Sequence, residues 1–187
     1  NPALSKSLEE GKTLPIFIFD NVNSKEHTNG SASKWWLHHS LTKLNKSLKN
    51  KLVFFRGNPI DILDEINNQF KVSNIFWNRC YEPWRIKRDK KIKKYFSDKD
   101  ISVNTFNGSL LWEPWNIAKK DGTPYKVFTP YYRKGCLNSD KPRIPLPVPN
   151  LSNVISIKNH DSKIEDLDLM PRHNWYNKMT SLWSPGE

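Results

Sequence analysis

Residues 74–89, NIFWNRCYEPWRIKRD, decide the fold of this chain. The stretch begins as a short apolar run, 75–77, breaks at the polar turn Asn78-Arg79-Cys80, and restarts as a charged helix. Pro83 suits the first position of that helix, because the N–H that proline lacks has no intrahelical partner there. A buried strand, a polar turn and a helix form one βα step. In open α/β sheets such turns lie at the carboxyl ends of strands, where ligands bind.

The same alternation of strands and helices continues on both sides of this stretch. Short apolar runs predict strands at 15–19, 51–56, 74–77 and 101–106, and helices are predicted at 3–10, from Ser33, from Pro59 and at 83–97. Gly11 is expected to close the first helix, while Ser33 and Asn58 are expected to be N-caps. Strands that alternate with helices pair in parallel. The pattern therefore predicts a doubly wound, Rossmann-like α/β fold, with a parallel sheet and helices on both faces.

The pattern of alternating strands and helices ends after residue 108. The segment 135–187 is rich in proline, which disfavours helices and cannot join a central strand ladder. Apolar residues at 155, 157, 167, 169 and 175 could attach this segment to a surface. We therefore expect an α/β domain at 1–134 and an extended connector at 135–187.

Composition bounds the class of protein. A chain of 187 residues with 36% hydrophobic content can build one domain with a core, and no run of 18 apolar residues occurs. Cys80 and Cys136 show neither metal spacing nor a disulfide framework, which predicts free thiols in a reducing cytoplasm. We expect a monomer there, without membrane attachment.

The net charge of +11 has two readings. A strongly basic chain attracts polyanions, so nucleic acid is a candidate partner. A chain rich in Lys and Asn also follows from an AT-biased genome, without selection for any partner.

Motifs for independent chemistry are scarce. The sequence has no G-x-G-x-x-G, no P-loop and no G-x-S-x-G elbow. His38 and His39 are adjacent on a helix, so they point about 100° apart and are poorly placed to share a metal. Glu82, Asp89 and Glu113 are better explained by helix capping or salt bridges than by catalysis. We predict no catalytic residue and no metal site in this chain.

Several segments resemble the DNA photolyase/cryptochrome family, and they occur in the family's order. They are IFIFD at 16–20, SKWWLHHSLTKLNKSL at 33–48, LVFFRGNPIDIL at 52–63, NRCYEPWRIKRD at 78–89, YKVFTPYYR at 125–133 and WSPGE at 183–187. The resemblance implies the N-terminal antenna domain of a bacterial class I photolyase. In that family this domain holds a folate or deazaflavin antenna chromophore, and FAD in a helical domain repairs pyrimidine dimers in DNA with blue light.

The resemblance also implies what this sequence lacks. The family's central first strand is expected to precede residue 1, and the FAD-binding domain is expected beyond residue 187. The chain by itself is then predicted to be inactive as a deoxyribodipyrimidine photo-lyase and to bind no FAD. Two alternatives stay open: a cryptochrome-type blue-light receptor, which shares these motifs, and a generic α/β nucleotide-binding module, which would need a phosphate loop.

The antenna site is predicted from the same resemblance. The resemblance implies a sheet with the strand order 3-2-1-4-5, in which strand 1 is the one expected before residue 1. This order would open a crevice beside the turn after the strand predicted at 74–77. The residues expected there are Asn78, Arg79, Cys80, Asp20, Asn21, His27, Trp35 and Trp84. Trp35 and Trp84 could instead simply pack helices onto the sheet. Trp84-Arg85 stands where the folate site has Asn-Glu, and Cys80 stands where a deazaflavin site has Asp, so the chromophore's identity is open.

Overall fold

The computed structural model describes residues 1–24, 27–157, 162–180 and 182–186. Its main elements are α1 (Pro2–Glu10), β1 (Ile16–Phe19), α2 (Ser31–Ser47), β2 (Val53–Arg56), α3 (Pro59–Phe70), β3 (Asn74–Asn78), α4 (Pro83–Ser97) and β4 (Ser102–Phe106). Short helical turns follow at Phe128–Pro130, Tyr131–Gly135, Cys136–Asn138, Ile164–Leu167 and Trp175–Lys178. The predicted alternation of strands and helices is confirmed. Residues 25–26, between the first predicted strand and Ser33, and residue 187 of the last motif lie outside the described residues.

The strands pair in parallel, as predicted. β1 pairs with β2 from Ile16–Val53 to Phe19–Arg56, and β3 pairs with β4 from Asn74–Ser102 to Asn78–Phe106. Among the described strands these are two separate pairs, so β1 and β3 each have one unpaired backbone edge. The continuous order 3-2-1-4-5 remains a prediction.

Local rules set most helix ends. Pro59 and Pro83 occupy first helical positions, and the Asn58 side chain caps α3 by accepting from the Ile60 amide at 3.3 Å. The expected cap at Ser33 is wrong, because α2 begins two residues earlier. Its first backbone bond runs from the Lys34 amide to the Gly30 carbonyl at 3.0 Å, so α2 starts without a side-chain cap.

Two apolar clusters form the core. One lies between α3, α4 and the β3–β4 pair, around Ile92, Phe96 and Ile101. The other lies around α2 and β2 and includes Leu167 and Leu169, which are only 1% and 2% exposed. Part of the proline-rich segment therefore packs into the core. The domain boundary after residue 134 remains a prediction.

The segment also joins the fold through its backbone. The Thr13 amide donates to the Asn153 carbonyl at 2.9 Å, and the Ile155 amide donates back to the Thr13 carbonyl at 2.9 Å. Cys80 and Cys136 are free thiols. Every helix in the described ranges is too short or too polar to cross a membrane.

Candidate functional site

Polar side chains gather at the carboxyl ends of β1 and β3, where the sequence predicts a ligand crevice. They form two groups. The Arg79 cluster consists of Arg79, Tyr81, Thr105, Glu113 and Trp115, and the Trp84 cluster consists of Asp20, His27, Trp84, Arg85, Arg88 and Asp89.

A two-pronged ion pair organises the Arg79 cluster. Arg79 Nε donates to Glu113 Oε1 at 2.6 Å, and Nη2 donates to Oε2 at 2.9 Å. Arg79 Nη1 donates to the carbonyl oxygen and to the hydroxyl of Thr105, the hydroxyl at 3.0 Å. The Tyr81 hydroxyl donates to Glu113 Oε1 at 2.7 Å, and the guanidinium carbon lies 5.8 Å from the ring centre of Trp115.

Electrostatics keep this pair charged. Burial acts to raise the pKa of Glu113, but hydrogen bonds from Arg79 and Tyr81 outweigh it and hold that pKa below its usual value. The bond to Glu113 raises the pKa of Arg79, and burial together with the same carboxylate raises the pKa of Tyr81. Four of the five N–H groups of Arg79 are used inside the protein, which leaves it little capacity for an anionic ligand.

The Trp84 cluster joins the end of β1 to α4. The Asp20 carboxylate accepts from the Asn23 amide at 2.8 Å and from Arg88 Nη1 at 3.4 Å. Arg88 also pairs with Asp89 at 2.8 Å. Burial acts to lower the pKa of Arg88, and the two carboxylates overcome this and raise it. Arg88 is therefore a charged link between the two elements.

The ring of Trp84 is already packed. His27 stacks on it with ring centres 6.2 Å apart and planes 9° apart. The guanidinium carbons of Arg85 and Arg88 lie 5.1 Å and 5.4 Å from its ring centre. Arg85 also donates to the Cys80 thiol at 3.6 Å. These contacts bring His27, Trp84 and Cys80 together, and their role in one antenna site remains a prediction.

Asn78 ties β3 to the first helix. Its Oδ1 accepts from the Ala3 amide at 3.2 Å, and its Nδ2 donates to Asn1 Oδ1 at 2.9 Å. The backbone at Gly108 passes so close that a Cβ atom there would lie 2.5 Å from Asn78 Cγ. Asn21 is exposed beside Asp20. The amide of Asn78 is thus engaged by the fold itself.

Trp35 lies in a different environment from the other predicted residues. It is 1% exposed, and its ring contacts those of Trp36, His39 and Tyr176. These contacts place it between α2 and the turn at Trp175–Lys178. The structure does not join Trp35 to either cluster.

A cavity of about 240 Å³ opens between α4 and the ends of β3 and β4. Its walls are formed by Trp77, Arg79, Cys80, Tyr81, Ile86, Asp89, Lys90, Lys93, Thr105 and Trp115. Trp77 Nε1 is buried and has no hydrogen-bond partner within the part of the chain that the structure describes. Aromatic walls with a few polar groups suit a small planar ligand. A wider cavity of about 640 Å³ lies near the start of α1 and residues 138–143, and Glu113 lines it.

Sequence reasoning missed Tyr81 and Trp115 as site residues. They lie far apart in sequence, and no local spacing connects them. The salt bridges expected for carboxylates are confirmed for Asp89 with Arg88 and for Glu113 with Arg79. Within the described ranges, no group of three or more His, Cys, Asp or Glu side chains is placed to hold a metal ion.

Comparison with known proteins identifies one family. The sequence model of a family described as DNA photolyase matches residues 1–150. The chain is 32% identical, over its whole length, to the deoxyribodipyrimidine photo-lyase of Agrobacterium fabrum and covers 39% of that protein. It is also 33% identical to cryptochrome-2 of Arabidopsis thaliana over 80% of this chain and 25% of that one. The chain thus spans about two fifths, or less, of these relatives.

Solved structures give the same result. A bacterial class III photolyase from Agrobacterium tumefaciens matches all of this chain and 39% of its own, with a TM-score of 0.86 and 31% identity. An archaeal photolyase from Sulfolobus tokodaii matches 89% of this chain and 37% of its own, with a TM-score of 0.67 and 23% identity. The second likeness bears on the fold alone.

Proposed function

Because this chain belongs to the DNA photolyase family, we propose that it is the light-harvesting α/β domain of a deoxyribodipyrimidine photolyase. The parent protein would repair ultraviolet-induced pyrimidine dimers in DNA with blue light, using FAD held outside these residues. The 32% sequence identity to a photo-lyase, which extends over the whole length of this chain, supports the proposal. Class I membership stays a prediction, and the 31% identical structure is a class III enzyme.

The antenna site is assigned to the 240 Å³ cavity beside α4. One observation carries this choice: Trp77 lines the cavity, and its buried indole Nε1 lacks a hydrogen-bond partner among the described residues. Leaving a buried donor unsatisfied is unfavourable. Because this N–H is shielded from the cavity, the indole ring would have to rotate on binding before an acceptor atom of a heteroaromatic ligand could satisfy it. Because the cavity is smaller than about 300 Å³, the low end for drug-sized ligands, it suits part of a fused heteroaromatic ring system whose remainder extends outside.

The residues around the cavity have distinct tasks. Tyr81 and Trp115 offer flat apolar surfaces to a ligand ring, and Glu113 holds Arg79 in place beside Trp115. Lys93 at the cavity wall suits an anionic extension of the ligand, since Arg79 is largely saturated. A bound folate or deazaflavin would absorb near-ultraviolet or violet light and pass on the excitation energy. The residues do not favour one of these two chromophores.

Reconstitution tests this assignment. The full-length protein is loaded with a folate-type and, separately, with a deazaflavin-type chromophore, in wild type and in Trp77→Phe and Trp115→Ala variants. Both substitutions should lower bound chromophore at least tenfold, while Trp36→Phe, which lies outside the cavity, should leave it unchanged. Unchanged antenna absorbance in both cavity variants would refute the site. Circular dichroism verifies that the variants are folded.

A cryptochrome-type blue-light receptor is the alternative. The 33% identity to a plant cryptochrome favours it. The antenna assay does not separate the two functions. Light-dependent repair of a thymine dimer in an oligonucleotide by the full-length protein does, because a signalling receptor would leave the dimer intact.

A further inference from the structure

The positive charge of this chain is concentrated on one helix. α4 has seven basic residues and one acidic residue within Pro83–Ser97, a net charge of +6 out of +11 for the whole chain. A compositional bias toward lysine would spread charge over all surfaces. The concentration on α4 therefore calls for a local explanation.

Four lysines form a single stripe along this helix, which we call the α4 lysine stripe: Lys87, Lys90, Lys91 and Lys94. They are spaced i, i+3, i+4 and i+7, so they share one face over about 10 Å of helix. All four are exposed. The opposite face is buried, because Ile92 and Phe96 pack in the core. The stripe thus points away from the protein body.

The stripe has little charge compensation of its own. Lys94 pairs with Asp98 at 2.8 Å, with both side chains largely exposed. Within the described ranges, Lys87, Lys90 and Lys91 have no carboxylate within 4.0 Å. The arginines of α4 differ, since Arg85 pairs with Glu82 and Arg88 with Asp20 and Asp89.

This arrangement is unfavourable for the helix itself. Like charges at i, i+4 repel, and the stripe contains two such pairs, Lys87 with Lys91 and Lys90 with Lys94. Folding alone would be served better by glutamate at one position of each pair. An external polyanion would turn this repulsion into attraction.

The geometry also narrows the kind of polyanion. An amphipathic helix binds a membrane through its apolar face, but the apolar face of α4 is used by the core. Lysine ammonium groups are compact point charges, which suit phosphate oxygens without reading bases. A row of backbone phosphates therefore fits the stripe better than a lipid surface.

We propose that the α4 lysine stripe binds the phosphate backbone of duplex DNA without sequence preference. The contact lies within the α/β domain, and of its four lysines only Lys90 also lines the cavity assigned to the antenna. The choice of DNA over another phosphate polymer rests on the proposed function. The binding itself requires neither light nor a chromophore, so failure of the antenna assignment would leave it intact.

The test is a salt titration of DNA binding in the dark. The full-length protein is mixed with an undamaged, fluorescein-labelled 20-base-pair duplex, and the Kd is measured by anisotropy from 50 to 200 mM KCl. The variant Lys87→Gln/Lys90→Gln/Lys91→Gln/Lys94→Gln is compared with wild type. Each phosphate contact contributes about 0.9 to the slope of log K against log salt, so the slope should become shallower by about 3 to 4.

A charge-matched control separates a site from net charge. Lys12, Lys46, Lys119 and Lys120 are exposed and lie outside α4, and their combined change to Gln removes the same charge. This control should keep a slope within about 1 of wild type. An equally reduced slope of log K against log salt in both variants, or an unreduced slope in both, would overturn the proposal. So would unchanged DNA binding together with stripe-dependent binding to phosphatidylserine vesicles.

A thermal melt guards against misfolding. The stripe variant should melt at the same temperature as wild type or higher, because it relieves like-charge repulsion. If that variant melts lower, single Lys87→Gln and Lys91→Gln proteins replace it, and each should make the slope shallower by about 1.

Discussion

At the scale of single residues, Arg79 illustrates how a candidate ligand residue becomes a structural one. Its guanidinium binds both oxygens of Glu113, which is 7% exposed. A buried carboxylate is stable only when it is paired and hydrogen-bonded. Arg79 therefore shapes the cavity wall more than it offers a free positive charge to a ligand.

We predict that Arg79→Ala destabilises the protein by about 2–4 kcal/mol, because it leaves Glu113 buried and unpaired. Lys94→Ala removes an exposed pair, whose side chains are 78% and 63% accessible, and should leave stability nearly unchanged. Chemical denaturation measures both. Equal costs for the two variants would contradict the structural role of Arg79.

The same pair predicts how stability depends on pH. The folded pKa of Glu113 is lowered, so its contribution is fully present above the unfolded pKa and is lost as the pH falls through the folded value. Glu113→Gln should therefore flatten the acid limb of the stability curve. An acid limb as steep as that of wild type would show that Glu113 has no part in it.

At the scale of elements, the helical turn Ile164–Leu167 behaves as part of the core. It packs against α2 and β2, and the Lys163 amide donates to Asp166 at 2.8 Å to hold its start. The Phe54 amide of β2 donates to the Ser162 hydroxyl at 3.2 Å. A segment that reads as an extended connector is thus attached by both apolar and polar contacts.

Leu167→Ala is expected to destabilise the protein by about 2–5 kcal/mol, the usual cost of removing a fully buried leucine. Leu182→Ala, at an 81% exposed position in the same segment, should change stability by less than about 0.5 kcal/mol. Thermal and denaturant unfolding give both values. Similar small effects would mean that residues 162–169 do not pack on the domain in solution.

At the scale of the whole molecule, the two strand pairs leave open backbone edges. In parallel strands, successive amides point to opposite sides. The Arg79 amide bonds to the Phe106 carbonyl, so the amides of Trp77 and Ile75 face β4, while that of Phe76 faces the open edge. By the same alternation, the backbone amide of Ile18 faces the open edge of β1. Open edges of this kind invite pairing with another strand.

Amide hydrogen exchange can test this arrangement. In the 187-residue chain we predict fast exchange at Ile18 and Phe76 and slow exchange at Phe17 and Trp77, which serve as internal controls. If the sheet has the family's strand order 3-2-1-4-5, a longer protein with additional residues before residue 1 should also protect the amides of Ile18 and Phe76 from exchange. Slow exchange at all four amides in the shorter chain would refute the open edges.

Local sequence determined the elements of this protein, and tertiary structure decided its site. Pro59 and Pro83 mark helix starts locally, because their ring geometry and missing N–H suit a first turn. The Arg79–Glu113 pair joins residues 34 positions apart, and Leu167 reaches a core built by α2 and β2. Such contacts depend on where strands and loops cross in space, which local spacing does not encode. For the same reason one tryptophan, Trp35, is buried, while another, Trp84, is half-buried against His27 and two arginines.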